Sequence, residues 1–217
     1  MKKSINIMIK LKGDWEMYNS FIDASYDDKL RKIQHFKLHP ELLPFVGANY
    51  DKYKVLLIGE SHYIDLEKSS SKNDAFYDWY KESTKDVFIK SKSNSFEYFT
   101  HWFNTREVVN KFMCKKRTKA HHIFQYPGQI VQNKYDLASD SEAFSMMAFY
   151  NYFQRPNTIP GGSFKSMDTN FDEYNFAIET ADEIFSKLQP NLIVFLSIKL
   201  KSTSILLLIT SVITREA

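Results

Sequence analysis

Lys54-Val55-Leu56-Leu57-Ile58-Gly59-Glu60-Ser61-His62-Tyr63 is the stretch that decides how this chain is read. Four apolar residues in a row end at a glycine, and polar and aromatic side chains follow it. An uninterrupted apolar run predicts a strand buried on both faces, as in a parallel sheet, rather than one that alternates between core and water. We place that strand at 54–58. Ligands of open α/β folds bind beyond the carboxyl ends of such strands, so Gly59 and the residues after it are the first candidates for function.

Upstream, 14–24 and 27–36 carry apolar residues at helical spacing, and 42–47, with Pro44 and Gly47, reads as a loop leading into the strand. Downstream, 67–95 is rich in Ser, Lys and Asp and carries Phe76, Tyr77, Trp79 and Tyr80; it predicts a polar surface insertion with a helix at 73–89. Helical spacing resumes over 97–112, with Asn104 or Thr105 as the cap of a helix. Tyr126-Pro127-Gly128 is a turn signal. A second strand is expected at 146–153 and a Pro- and Gly-containing loop at 155–162. The apolar period from Phe171 to Leu188 predicts a helix, which Gln189-Pro190-Asn191 stops before a third strand at 192–196. Helix, short turn and apolar strand in succession are the signature of a parallel sheet. The expected fold is therefore one α/β domain over 1–217, a three-layer sandwich around a short, mostly parallel sheet. Past Ser197, the apolar run 205–213 comes too soon for a parallel crossover. A hairpin, an edge strand, or the loss of the native ending would each account for it.

The 217 residues are 43% hydrophobic and 25% charged, ordinary for a globular domain that buries its own core. Eighteen Phe and thirteen Tyr predict prominent aromatic packing. A net charge of +3 is weaker than the footprint of a dedicated nucleic-acid binder, and the one clear basic cluster is Cys114 to His122, with Lys115, Lys116 and Arg117 as candidate phosphate contacts. A single cysteine, Cys114, excludes an internal disulfide and any multi-cysteine zinc or iron–sulfur site. No run approaches the roughly 20 apolar residues needed to cross a membrane, so an intracellular, cytoplasmic protein is expected. No cofactor and no metal is implied.

The second informative stretch is Phe149-Tyr150-Asn151-Tyr152-Phe153-Gln154-Arg155-Pro156, an aromatic strand with an Asn inside it and Arg-Pro at its end. Gly59-Glu60-Ser61-His62-Tyr63 resembles the first motif of the uracil-DNA glycosylase superfamily, and Asn151 to Pro156 is similar to the second element of its iron–sulfur branch. The unit of helix, Pro190 and strand is similar to the next. The order fits from Leu43 to Ser197. The resemblance implies that Glu60 or Ser61 positions the attacking water, that Gly59, His62 and Tyr63 shape the pocket, and that Asn151 reads the amide edge of a base. It also implies Phe103 as the stacking aromatic, Arg155 as a substrate contact, and DNA or a nucleobase-containing small molecule as the partner. Such chemistry passes through an oxocarbenium-like state that a carboxylate stabilises, with the base drawn out of the stack.

The chain departs from that pattern in three ways. The cluster cysteines are missing, Ser61-His62 replaces the usual polar residue and Pro, and no His follows His122 to match the superfamily's last motif. A non-catalytic nucleobase or nucleic-acid binder on the same fold is the alternative expectation. Gly59-Glu60-Ser61-His62 also resembles the first motif of erythromycin-esterase-like and haem-uptake-like proteins, although no second Glu/His element matches it. Ser61 and His62, adjacent in an extended segment, point to opposite faces and do not form a nucleophile pair.

Overall fold

A computed structural model describes residues 21–63, 78–90, 104–114, 122–157 and 171–196. The apolar run becomes β2 (Val55–Tyr63), and the strand runs on through Gly59 into the polar residues instead of stopping at the glycine. It continues because β3 (Met147–Asn157) lies parallel beside it, from Val55 opposite Met147 to Ser61 opposite Phe153. β4 (Leu192–Phe195) pairs parallel with the other side of β2, Val55 opposite Leu192 and Ile58 opposite Phe195. A two-residue strand, β1 (Phe45–Val46), joins β3 antiparallel, so the sheet is mixed, in the order β1-β3-β2-β4. That strand corrects the loop expected at 42–47. Phe45 and Val46 are both fully buried, and burying their backbone requires partners that a loop would not supply.

Alternation along β2 divides the core. Leu56 and Ile58 face one side with Ala148 and Tyr150, and there they meet α1 (Asp27–Leu30), α2 (Gln34–Leu38), α3 (Thr84–Lys90) and α7 (Phe171–Leu188) through Leu30, Phe36, Val87, Phe88 and Ile184. Leu57 faces the other side with Phe45, Met147, Phe149 and Val194. There it packs on α4 (Thr105–Met113), α5 (His122–Tyr135) and α6 (Asp140–Ser145) through Val109, Phe112, Phe124 and Phe144. Helices thus cover both faces of the sheet, an α/β arrangement.

Several local expectations meet the structure closely. The helix from Phe171 to Leu188 has those bounds, and Asn104 caps α4 by accepting the Glu107 N–H at 3.0 Å. Others need correction. The helix expected over 27–36 is two short helices, α1 and α2, with Ile33 extended between them. Tyr126-Pro127-Gly128 is not a turn but lies inside α5. Gly128 has no side chain to hold α6 away, and a Cβ there would stand 3.1 Å from Asp140. Close helix packing outweighs the local turn signal and the hydrogen bond that Pro127 cannot donate. Residues just before β3 form α6, capped by Ser139, whose hydroxyl accepts the Glu142 N–H at 3.0 Å, while Glu142 reaches back to the Ala138 N–H. Arg155 and Pro156 belong to the end of β3 rather than to a loop.

The described part of the stretch expected as a surface insertion, 78–90, buries one face in the core. Trp79 and Val87 are fully buried and Phe88 nearly so. Among the described residues no helix is long and apolar enough to cross a membrane.

Candidate functional site

β2 is the first strand of the parallel set, yet it lies between the second, β3, and the third, β4. The chain therefore runs from β2 to β3 in one direction and crosses from β3 back past β2 to β4 in the other, and at such a reversal of strand order ligands bind outside the carboxyl ends of the strands. A cleft of about 310 Å³ lies there. β2 contributes Ile58, Gly59 and Glu60, β3 contributes Tyr152 and Phe153, and Phe195 and Leu196 close the β4 side. The Leu196 N–H donates to the Ile58 carbonyl at 2.7 Å, carrying the ladder one residue past β4 and fixing that wall.

Gly59 and Glu60, both expected at the site, line the cleft. Ser61, His62, Asn151 and Arg155 lie beside it and are buried, each at most 7% exposed. Asn151 stands opposite Gly59 in the ladder. Its Nδ2 donates to His62 Nε2 at 3.1 Å, which puts the ring hydrogen on Nδ1. Its Oδ1 lies over Gly59, where a Cβ would fall 2.2 Å away. This is the close approach that requires glycine at 59. Burial pushes the His62 imidazole down to about 3, so the ring is neutral.

Arg155 points at α7, where its guanidinium holds the carboxylate of Glu173 in the first turn, Nη2 to Oε2 at 3.2 Å and Nε to Oε1. Gln154 donates through Nε2 to the Asn151 carbonyl. Tyr80 packs on Phe176 of α7, and burial, with the nearby Glu173 charge, raises its phenol. Beneath these groups His35 of α2 is ringed by His39, Phe36, Tyr80 and Phe176 at centroid distances of 4.7 to 6.5 Å. Neither of its nitrogens has a hydrogen-bond partner. Its neighbour His39 is fully engaged: Nδ1 is 2.6 Å from the Thr84 hydroxyl, Nε2 is 2.7 Å from the Trp79 carbonyl, and the ring stacks on the Trp79 indole.

The carboxyl end of the sheet therefore carries several buried polar side chains beside Glu60, one of whose carboxylate oxygens, Oε2, is itself buried. The Tyr63 backbone pairs with Asn157 at the end of β2. Its side chain, Phe103, and the basic residues Lys115, Lys116 and Arg117 lie outside the described residues. Among the described residues no three His, Cys, Asp or Glu side chains are placed to hold a metal ion.

Sequence reasoning passed over Tyr152, Phe153, Phe195 and Leu196 as cleft walls, and His35, Tyr80 and Glu173 as buried polar neighbours. The wall residues carried a usable signal: once three parallel strands are placed, the residues at their carboxyl ends beside Glu60 are the walls. The buried three carried none, because their partners are distant in the chain.

No protein-family model, curated protein or solved structure matches this chain. The geometry stands by itself.

Proposed function

We propose that the cleft at the ends of β2, β3 and β4 takes a nucleobase, and that the protein is a uracil-DNA glycosylase-like hydrolase of an N-glycosidic bond in DNA. The observation that carries this reading is Glu60 on the wall of a cleft at the point where the strand order diverges, with Tyr152, Phe153 and Phe195 as the other walls. Aromatic walls suit a flat, stackable ligand, and a volume of about 310 Å³ suits a small one. A base extruded from DNA and its sugar would bring the anomeric carbon towards Glu60. The carboxylate would orient a water and stabilise positive charge building on the sugar. The water oxygen bonds to the anomeric carbon, its proton is taken up by the carboxylate, and the base leaves with the electron pair of the broken bond.

One observation favours a second reading, a binding protein that uses the same cleft without turnover. Among the described residues the cleft is lined by no Lys, Arg or His to stabilise a departing base.

The test is base release from single- and double-stranded oligonucleotides carrying deaminated or alkylated bases, run beside equilibrium binding of the free nucleobases. Release that Glu60→Gln abolishes, with nucleobase binding kept, supports the hydrolase. Binding without release, indifferent to Glu60→Gln, supports the second reading. Neither release nor binding sinks both.

A further inference from the structure

Asn151 grips β2 on both sides of Glu60. Its Nδ2 holds His62 at 3.1 Å, and its Oδ1 occupies the space above Gly59 that a Cβ would enter at 2.2 Å. Asn151 and His62 are 7% and 6% exposed, and neither lines the cleft that Glu60 lines. The His62 contact falls where the ladder loosens: pairing with β3 keeps one register from Val55 through Ser61, and the register shifts between Ser61 and Tyr63. Backbone hydrogen bonds hold 55–58 from both neighbouring strands, whereas β4 ends at Phe195, opposite Ile58. Among the described residues, Glu60 and Ser61 lie against one strand, β3, and this amide reaches His62 where that pairing turns irregular.

We infer that Asn151 and His62 form a positioning pair, which holds the end of β2 so that the Glu60 carboxylate faces the cleft, and that Asn151 is committed to this grip rather than to reading a base. Turning the amide towards a ligand would leave His62 Nε2 without its donor in a buried setting, a loss that a base edge in the cleft would not repair. Recognition of the base then falls to what does line the cleft, the backbone at Gly59 and Glu60 and the aromatic walls. The inference rests on the nucleobase reading only for what Glu60 is aimed at; the grip is a property of the protein alone.

The test is made first without substrate, on the full chain labelled with 15N-histidine and with 13C at the glutamate carboxyls. Long-range 1H–15N spectra are expected to show His62 protonated on Nδ1 and bare on Nε2. In Asn151→Asp the new carboxylate only accepts, so His62 Nε2 becomes protonated and the Glu60 carboxyl resonance moves. His62→Gln, which keeps an acceptor within reach of Asn151, leaves the Glu60 resonance near its wild-type position, and His62→Leu does not. A His62 proton position unchanged in Asn151→Asp, or a Glu60 resonance indifferent to every one of these changes, overturns the inference. Should the Asn151 variants not fold, Gly59→Ala pushes the same amide aside and has to disturb the same two signals; silence there overturns it equally.

If bases are released, Asn151→Asp lowers kcat by roughly tenfold or more while KM stays within about threefold. A raised KM with kcat intact would make Asn151 a base reader and overturn the pair. Absence of turnover in the wild type counts against the proposed hydrolase, and the substrate-free spectra still decide this inference.

Discussion

The guanidinium of Arg155, near the end of β3, grips the carboxylate of Glu173, in the first turn of α7, through two of its nitrogens, with both residues only 6% exposed. The pair ties a helix to the strand that supplies two walls of the cleft. Removing one partner strips the other, still buried, of this counter-charge, which costs far more than the pair itself contributes. Glu173→Ala is expected to lower stability by about 3–5 kcal/mol, while the double change Arg155→Met with Glu173→Leu stays near wild type. Urea unfolding of the three proteins checks this, and a double variant as unstable as the single one would refute it.

Two glycines of this chain are expected to differ in what they tolerate. At Gly47 a Cβ would fall 2.0 Å from the Ser145 carbonyl oxygen and 2.8 Å from that of Met147, both backbone atoms beside the start of β3. At Gly59 the nearest atom is Asn151 Oδ1, the end of a side chain that can turn away. Gly47→Ala should therefore prevent folding or cost well beyond the ~1–3 kcal/mol usual for overpacking, and Gly59→Ala should stay within that range. Adding Asn151→Ala should recover part of the loss at 59 and none at 47. Thermal melts of the four variants decide the order.

Acid should unfold the protein through its buried histidines. Burial holds His62 down to about 3, and burial is also the largest cause holding His35 well below the usual range. An unfolded histidine takes up a proton near pH 6.5, as these folded rings do not. Below about pH 6.5 the unfolded chain thus binds more protons, and stability falls as pH falls, by about 1.4 kcal/mol per pH unit for each ring; for His62 the window closes near its folded value. His35→Phe removes one such contribution along with two unpaired ring nitrogens. It should leave stability at neutral pH unchanged or higher and flatten the decline between about pH 6 and 5. Equal slopes in wild type and variant would dismiss His35 as a contributor.

The aromatic walls give the proposed ligand its own test. Tyr152→Ala and Phe195→Ala should each weaken nucleobase binding by about 1–3 kcal/mol, the usual worth of one stacking ring. The exposed Ile130, which does not line the cleft, serves as control: Ile130→Ala should leave binding unchanged. Titration by fluorescence or calorimetry reads all three.

Much of the scaffold was legible from local pattern. The run at 54–58, the period from Phe171 to Leu188 and the run at 192–196 each report their own environment, because burial on two faces or one stripe is written into neighbouring residues. The capping of α4 by Asn104 is local in the same sense. Pro127 and Gly128 misled because helix packing, a contact with Asp140, overrode a dipeptide signal. Gly59 was legible as an end of the apolar run but not as the floor beneath an amide. The partner that makes it so, Asn151, also bonds His62 across 89 positions of chain. No spacing rule carries a pairing of that span, and the same holds for Arg155 with Glu173. Glu60 was legible as a candidate because strand ends are where such folds keep their chemistry.

The central position of β2 also sets a timetable. Chains are made from the amino end, and β2 leaves the ribosome before either of its neighbours exists: β3 begins at Met147 and β4 at Leu192. Until then Val55, Leu56, Leu57 and Ile58 form an adhesive strand with no mate in the sheet. Pairings so far apart in sequence form slowly, and an unpaired apolar strand is an aggregation hazard while it waits. The cleft cannot take shape before Phe195 and Leu196 are made, so the site forms only once all three parallel strands have been synthesised.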